Sequence, residues 1–493
     1  MLSQHNSRLK FIYFALKSFL FLLLLLSNKA EASPLKIHPA NPRYFTDDSG
    51  KPIYMAGSHT WYILHEEGHA VNEARITTYL DWLHSFGHNY TRVWSNWFYL
   101  KNSKGPQKPW PYLRTGPGNA NDGLPKFDLS KPDPEYFNLL KFFMQELEKR
   151  DMYCSIMFFG SYNQFRSNFQ SNTAWHPDNN INPETGILSV NTDFFTTNPG
   201  LLALQEAHIK RVIDSLNGFD NLIWEIMNEA ELPASGDWRV HMMNVIRNYE
   251  NTKPGKHLIL MGGGYNEAGN ILINSPADAI SPDTYPGNCK SGCPVTYCGK
   301  VIINDTDHLW GYSYLSNRIT MEKWVWQTFT RGNHPLFMDD YDAYTNNNGT
   351  INHMWDKLRK NLGYTVNYTA KISDLAAMEP STSISSTQYC LYNAGKEYLV
   401  YQPGIGSFTV NMKKGKYHRE WFDPDDASVS IDTVEVTGDG NKFFVKPSHI
   451  ASDAVLYLRE AGQTTGNKIL TTFFECLLNR LIFGHYLIRT GAF

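Results

Sequence analysis

Eight short apolar runs recur between residues 52 and 338, and amphipathic helical patterns separate them. The runs fall at 52–57, 90–94, 153–159, 221–227, 257–261, 279–281, 301–303 and 336–338. Several are apolar at consecutive positions, so both of their faces need cover, as in a parallel sheet wrapped by helices. The segments between them carry helix punctuation. Ile76, Tyr79, Leu80, Leu83 and Phe86 recur at helical spacing, and Gly87 stops them. Asp133-Pro134 and Asn198-Pro199 each set a capping side chain before a proline at the first helical position. Residues 324–329 and the spacing of Met354, Trp355, Leu358 and Leu362 continue the rhythm. Eight such units predict an α/β fold, a closed (β/α)8 TIM barrel over residues 35–379. An open doubly wound sheet is the competitor, but no Gly-x-Gly-x-x-Gly follows the first run.

The pattern changes after residue 380. A polar stretch at 381–388 leads into short strands at 389–392, 397–401, 407–412, 417–422, 441–445 and 454–458, punctuated by Gly395, Gly404, Gly415, Gly438 and Gly440. This predicts a small antiparallel β-sandwich over 385–460. The tail, 461–493, has apolar residues at helical spacing broken by Glu475 and Arg480, and no role is assigned to it. At the other end, Arg8 and Lys10 precede an apolar run that is densest from Phe19 to Leu26 and ends at Ala30-Glu31-Ala32. That is the layout of a signal peptide over 1–32, so the chain is expected to be secreted, with a retained signal anchor as the alternative. The apolar core is short for a membrane span, so no stable span is expected after cleavage.

Charge is nearly balanced, with 45 Lys+Arg against 48 Asp+Glu, which argues against a nucleic-acid partner. A monomer is expected. Of six Cys, three crowd one loop at Cys289, Cys293 and Cys298. Export permits a local disulfide there, and zinc is the weaker alternative. Cys154 lies in an apolar run and reads as a buried thiol. Asn-x-Thr sequons occur at Asn89, Asn304, Asn348 and Asn367.

In a (β/α)8 barrel the chemistry sits at the C-terminal ends of the strands. The fourth run passes straight into Asn228-Glu229. Strand alternation puts Glu225, Met227 and Glu229 on one face. A partly desolvated carboxyl at Glu229 would have a raised pKa and could donate a proton. The seventh run ends in Asn304-Asp305-Thr306-Asp307-His308, which offers a second carboxylate. Alternation would put Asp305 and Asp307 on one face and Thr306 and His308 on the other. The same cluster could instead cap a helix or bind a metal. Arg92 belongs to the second run and could hold a carboxylate ionised through a bidentate pair. His59 and Trp61 follow the first run, Trp94 and Trp97 the second, Asp283 and Tyr285 the sixth, and Asp339, Asp340 and Asp342 the eighth.

Arg after strand two, Asn-Glu after strand four and an acid after strand seven resemble the clan A glycoside hydrolases, which are retaining (β/α)8 enzymes. The opening Asn41-Pro42-Arg43-Tyr44-Phe45, then Gly57-Ser58-His59-Thr60-Trp61, is similar to the apiosidase-like hydrolases and related cellulase-type proteins. Tyr398-Leu399-Val400-Tyr401 and Glu420-Trp421-Phe422-Asp423-Pro424 resemble the small sandwich labelled collagen-binding in such proteins. The resemblance spans residues 35 to 460. It implies that Glu229 is the acid/base, that Asn228 touches the sugar 2-hydroxyl and that Arg92 supports the nucleophile. It departs at strand seven, where clan A carries Glu and this chain has Asp305. The expectation is therefore a glycosidase acting on a polysaccharide or glycan, with Glu229 and Asp305 catalytic. His59, Trp61, Arg92, Trp97, Asn228, Asp283, Tyr285, Asp307, His308 and Asp339 would bind substrate, with no cofactor and no metal. A barrel that binds sugar without turnover, and a metal-dependent hydrolase using Asp305, Asp307 and His308, are the alternatives.

Overall fold

The computed structural model describes residues 33–462, apart from 61, 66–70, 97–99, 103–104, 161–171, 189–190, 229–235, 264–269, 283–288, 297, 311–315, 340 and 342–352. The expected signal peptide and almost all of the tail lie outside these residues. No helix among the described residues is long and apolar enough to cross a membrane.

Eight parallel strands close into a barrel: β1 (Gly57–His59), β2 (Tyr90–Trp94), β3 (Tyr153–Phe159), β4 (Leu222–Met227), β5 (Ile259–Gly262), β6 (Ala279–Ser281), β7 (Val301–Asp305) and β8 (His334–Met338). Each pairs with its sequence neighbours, and β8 pairs with β1 to close the ring. The helices that follow strands include α1 (Glu73–Ser85), α2 (Pro134–Glu148), α3 (Pro199–Leu216), α4 (Gly236–Glu250), α5 (Asn270–Asn274), α6 (Thr306–Trp310), α7 (Arg318–Thr330) and α8 (Asp356–Lys371). Asp133 and Asn198 cap α2 and α3 as their sequence positions predict, accepting from Glu135 N and from Gly200 and Leu201 N.

The barrel floor explains one shifted boundary. The first strand is expected at 52–57 but pairs within the barrel only from Gly57. Ile53 bridges Phe45 instead, and Met55 N–H donates to His334 Nδ1 at 2.9 Å. Leu35, Phe45 and Met55 pack with Tyr90, Ile223, Leu260, Ala279, Val301, Ile303 and Leu336 in one buried cluster that closes the N-terminal end. Gly57 permits the tight approach of β1 to β2: a Cβ there would lie 1.9 Å from Tyr90 O.

Inward-facing positions alternate along each strand. Ascending from that apolar floor, the next inward positions on four strands are Arg92, Glu225, Gly262 and Asp305. The barrel is thus greasy below and charged above, and its charged layer faces the strand C-termini.

The second unit begins at Glu379, six residues before the expected boundary. A six-stranded antiparallel sheet contains β9 (Glu379–Ser381), β10 (Cys390–Asn393), β11 (Glu397–Gln402), β13 (Gly415–Phe422), β14 (Val429–Val436) and β16 (Ala454–Glu460). β12 (Phe408–Met412) pairs with β15 (Gly440–Phe444) as a separate ribbon. Phe408, Val410, Met412 and Phe444 of the ribbon pack with Tyr398, Val400, Trp421 and Leu456 of the sheet, which makes the expected sandwich. Leu399, Tyr401, Phe422 and Tyr457 from the other face of the sheet join the core of the barrel's outer helices.

Cys289 and Cys293 form a disulfide in the loop before β7, so the local bridge forms and the zinc reading lapses. Cys154 is a buried thiol, as expected. The sequon at Asn304 is fully buried, with Nδ2 donating to Cys289 O and Thr328 Oγ1 at 3.0 Å each, so the folded chain offers no glycan site there.

Candidate active site

The centre of the charged layer is Arg92. Its Nε donates to Glu225 Oε2 at 2.8 Å, and its Nη1 donates to Asp305 Oδ2. All three side chains are fully buried. His59 Nε2 lies 3.5 Å from Asp305 Oδ1, and the Trp94 ring stands beside both His59 and Arg92. Arg92, Asp305 and His59, singled out from three distant strand ends, thus meet in one cluster.

Burial alone would push the Asp305 carboxyl up, but Arg92 and then His59 overcome it and hold the group well below the usual carboxylate range. Asp305 is an anion at any physiological pH. Glu225 behaves oppositely. Burial raises it, Arg92 offsets part of that, and the nearby Asp305 charge adds to the rise, so it titrates at about 7. One guanidinium therefore serves two carboxyls of different character.

β7 ends at Asp305, and the next residue starts α6. This corrects the alternation expected for residues 305–308. Asp305 Oδ1 accepts the Asp307 N–H at 3.0 Å, which turns the chain into the helix. His308 is then one turn onward and reaches the site. Its Nδ1 meets Ser281 Oγ at 2.9 Å, and its Nε2 meets Asn228 Oδ1 at 3.1 Å. Burial lowers the His308 pKa to about 4, against the pull of Asp305, so the ring is neutral. Asp307 is half-buried at the edge of this group.

Ligand atoms of Asp305, Asp307 and His308 lie within 4.8 Å of one another. The set fits a cation poorly. Asp305 is already neutralised by Arg92, and both His308 nitrogens are engaged.

Asp339 is held differently. Arg359 grips both of its oxygens, at 2.6 and 2.9 Å, and Ser58 Oγ adds a third contact at 3.2 Å. Its backbone N–H donates to His59 O at 2.7 Å. This ion pair ties α8 to the β1–β8 seam beneath His59, so we read Asp339 as a support for the rim rather than as a sugar contact.

Glu229, Trp61, Trp97, Asp283, Tyr285, Asp340 and Asp342 lie outside the described residues. Two buried polar side chains, one within the cluster and one just past β2, do not stand out as site residues in the sequence. Glu225 sits in mid-strand among apolar neighbours, and its inward direction follows from the same alternation that points to Glu229. Asn96, two residues past β2, is fully buried and has no hydrogen-bond partner among the described residues for either amide atom. His59 Nδ1, Arg92 Nη2, Glu225 Oε1 and Trp94 Nε1 also have no hydrogen-bond partner among the described residues.

No family model matches the sequence, and no curated protein matches it. Solved structures do match the fold. A glycoside hydrolase family 5 protein from Bacteroides vulgatus superposes with a TM-score of 0.58 at 12% identity, covering 88% of this chain and 95% of that one. Another structure, described as a glycoside hydrolase, gives a TM-score of 0.57 at 12% identity over 88% of this chain and 98% of its own. The shared feature at this identity is the fold: a (β/α)8 barrel followed by an antiparallel sandwich.

Proposed function

We propose that the protein is a glycoside hydrolase that cleaves O-glycosidic bonds in a polysaccharide or glycan with retention of configuration. The observation that carries this reading is the buried Arg92–Asp305 pair at the strand ends. A retaining mechanism needs a nucleophilic carboxylate that stays ionised beside a second carboxyl that can hold a proton. Asp305 has the first character. Glu229, two alternations beyond the inward-facing Glu225, is assigned the second role from its sequence position.

In the first step Asp305 attacks the anomeric carbon while Glu229 protonates the leaving oxygen. In the second, Glu229 takes a proton from water, and the water displaces Asp305. Arg92 fixes the Asp305 carboxylate, and His59 stands on its other oxygen. Asn228, oriented by His308, is assigned to the 2-hydroxyl. Asp is one methylene shorter than the Glu of clan A, a deficit of about 1.5 Å. Arg92 and His59 fix the direction in which the shorter side chain points. Within this class, the resemblance of Gly57-Ser58-His59-Thr60-Trp61 to the apiosidase-like hydrolases supports a reading of that subtype. Its leader marks it for secretion.

The test is a panel of plant and microbial polysaccharides with reducing-end detection. The wild type is expected to release sugar from at least one of them, with and without chelator. Binding without release would make the chain a carbohydrate-binding barrel, and loss of release in chelator would make it a metal-dependent hydrolase.

A further inference from the structure

The Arg92 guanidinium is buried between two carboxyls, and the proposed reaction removes the charge from one of them. When an Asp305 oxygen bonds to the anomeric carbon, the glycosidic C–O bond breaks and its electron pair goes to the leaving oxygen, which takes the Glu229 proton. Asp305 is then a neutral ester. A guanidinium left in a dry interior without a counter-charge is strongly disfavoured. Glu225 remains, its Oε2 accepting from Arg92 Nε at 2.8 Å.

We propose that Glu225 is a positioning residue that supplies the counter-charge for Arg92 while Asp305 is esterified, and so stabilises the glycosyl–enzyme intermediate. This rests on reading Asp305 as the nucleophile. A Glu225 that is protonated in the free enzyme releases its proton to water as the ester forms. It regains one when hydrolysis restores the Asp305 carboxylate, so protons balance over the cycle.

The surroundings suit a group that changes state. Glu225 Oε1 has no hydrogen-bond partner among the described residues, so a proton there breaks no bond seen among them. Gly262 keeps the space beside it open: a Cβ at that position would lie 3.6 Å from Oε1, 3.3 Å from His308 Cε1 and 3.0 Å from Met227 O. Among the described residues, the titratable groups that face Glu225 are Arg92 and Tyr90 from β2, Cys154 from β3, Asp305 from β7 and His308 from α6, with His59 of β1 beyond Asp305. Tyr90 and Cys154 are pushed far up by burial and stay neutral, and His308 is neutral above about 4. Among the described residues, Asp305 is therefore the negative charge whose removal Glu225 would sense.

Asp305→Asn imitates the ester in being neutral, so the charge relation is testable without knowing the sugar. Carboxyl infrared difference spectra are recorded against pH for the wild type, Asp305→Asn and Glu225→Gln. The wild type is expected to show a carboxyl titrating near neutrality, absent in Glu225→Gln. In Asp305→Asn it should move to lower pH by about one unit or more, the size of shift a neighbouring charge produces. An unmoved titration in Asp305→Asn overturns the proposal, and so does a neutral titration that survives Glu225→Gln. If Glu225→Gln fails to fold, the Asp305→Asn shift alone decides. On any glycan that the wild type cleaves, Glu225→Gln should lower kcat/KM about tenfold or more through the step that forms the intermediate, with substrate affinity kept. Absence of cleavage by the wild type would overturn the hydrolase reading and leave the infrared result standing.

Discussion

Arg92 stands between two carboxyls that it treats unequally, and that inequality has measurable consequences. Arg92→Met would leave Asp305 and Glu225 buried together without a cation. Removing one partner from a buried ion pair costs about 3–5 kcal/mol, and urea denaturation should show a loss of this order at neutral pH. Glu225 sets a second signature. Its folded pKa is raised, from 4.5 to about 7. The unfolded chain therefore releases this proton first as pH rises, and the folded state loses stability across that window. The loss amounts to about 3 kcal/mol, and Glu225→Gln should abolish it. Equal slopes of stability against pH for the two proteins between these values would contradict the assignment. Asp305 has the opposite sign, since its stabilisation is present above the usual carboxylate range and fades only in strong acid. The residues that meet here differ in how legible they were. His59 and Asp305 close strands, and the strand-end rule finds such residues, while Arg92 stands out as a charge within a short apolar run. Glu225 hides inside an apolar run. Only the period of two reveals that it points inward, and nothing local shows that it shares its arginine with Asp305.

Elements were legible where burial imposed a pattern. The eight barrel strands are covered on both sides, so their apolar runs stand out, and Asp133 and Asn198 mark helix starts by capping chemistry. β14 was missed because its pattern points the wrong way: Val429 and Ile431 are 46% and 69% exposed, so it reads as surface. The hairpin of Tyr112–Asn119 and Pro125–Pro132 was also missed, because Gly116, Pro117 and Gly118 interrupt any strand pattern. The run after β7 looks like strand in the sequence because helix and strand periods cannot be told apart over four residues. Close contact between elements was equally invisible. Gly57→Ala would drive a methyl group into Tyr90 O, 1.9 Å from the ideal Cβ position. Backbone cannot yield there without opening the β1–β2 seam. The variant should lose about 3 kcal/mol or more, visible as a large fall in Tm. A Tm within a degree or two of wild type would mean that the two strands are not so closely apposed.

At the scale of the whole molecule, barrel and sandwich share an interface rather than a linker. Phe422 packs on Trp326 and Tyr368 with ring centroids 5.7 and 5.5 Å apart. Glu420 accepts from Tyr368 Oη at 2.5 Å and Lys371 Nζ at 2.6 Å, and Asn361 Nδ2 donates to Pro424 O at 3.2 Å. A chain ending near Glu379 would bare these aromatic rings. It should aggregate, as size-exclusion chromatography would show, whereas a monodisperse soluble fragment would speak for an independent barrel. Acid should also threaten the whole fold. Burial depresses His65 and His208 to about 3, and His88, His308 and His334 to about 4. These rings are neutral when folded, whereas an unfolded histidine takes up its proton near pH 6.5. Stability is fully present above that value and falls as pH drops toward 4, by up to about 3 kcal/mol for each ring. Cooperative unfolding within this window, followed by circular dichroism, is the expected result, and a fold unchanged at pH 4 would contradict the assigned burial.

The most direct measurement concerns Asp305 as nucleophile. Asp305→Ala should be folded and inactive on the glycan or aryl glycoside that the wild type cleaves, because the attacking oxygen is gone. Added azide fits the vacated space and can attack the anomeric carbon in its place. The predicted outcome is recovered turnover that yields a glycosyl azide of configuration opposite to the substrate, read by proton NMR. An Asp305→Ala enzyme that releases sugar at the wild-type rate without azide would contradict the assignment, and with it the role given to Arg92.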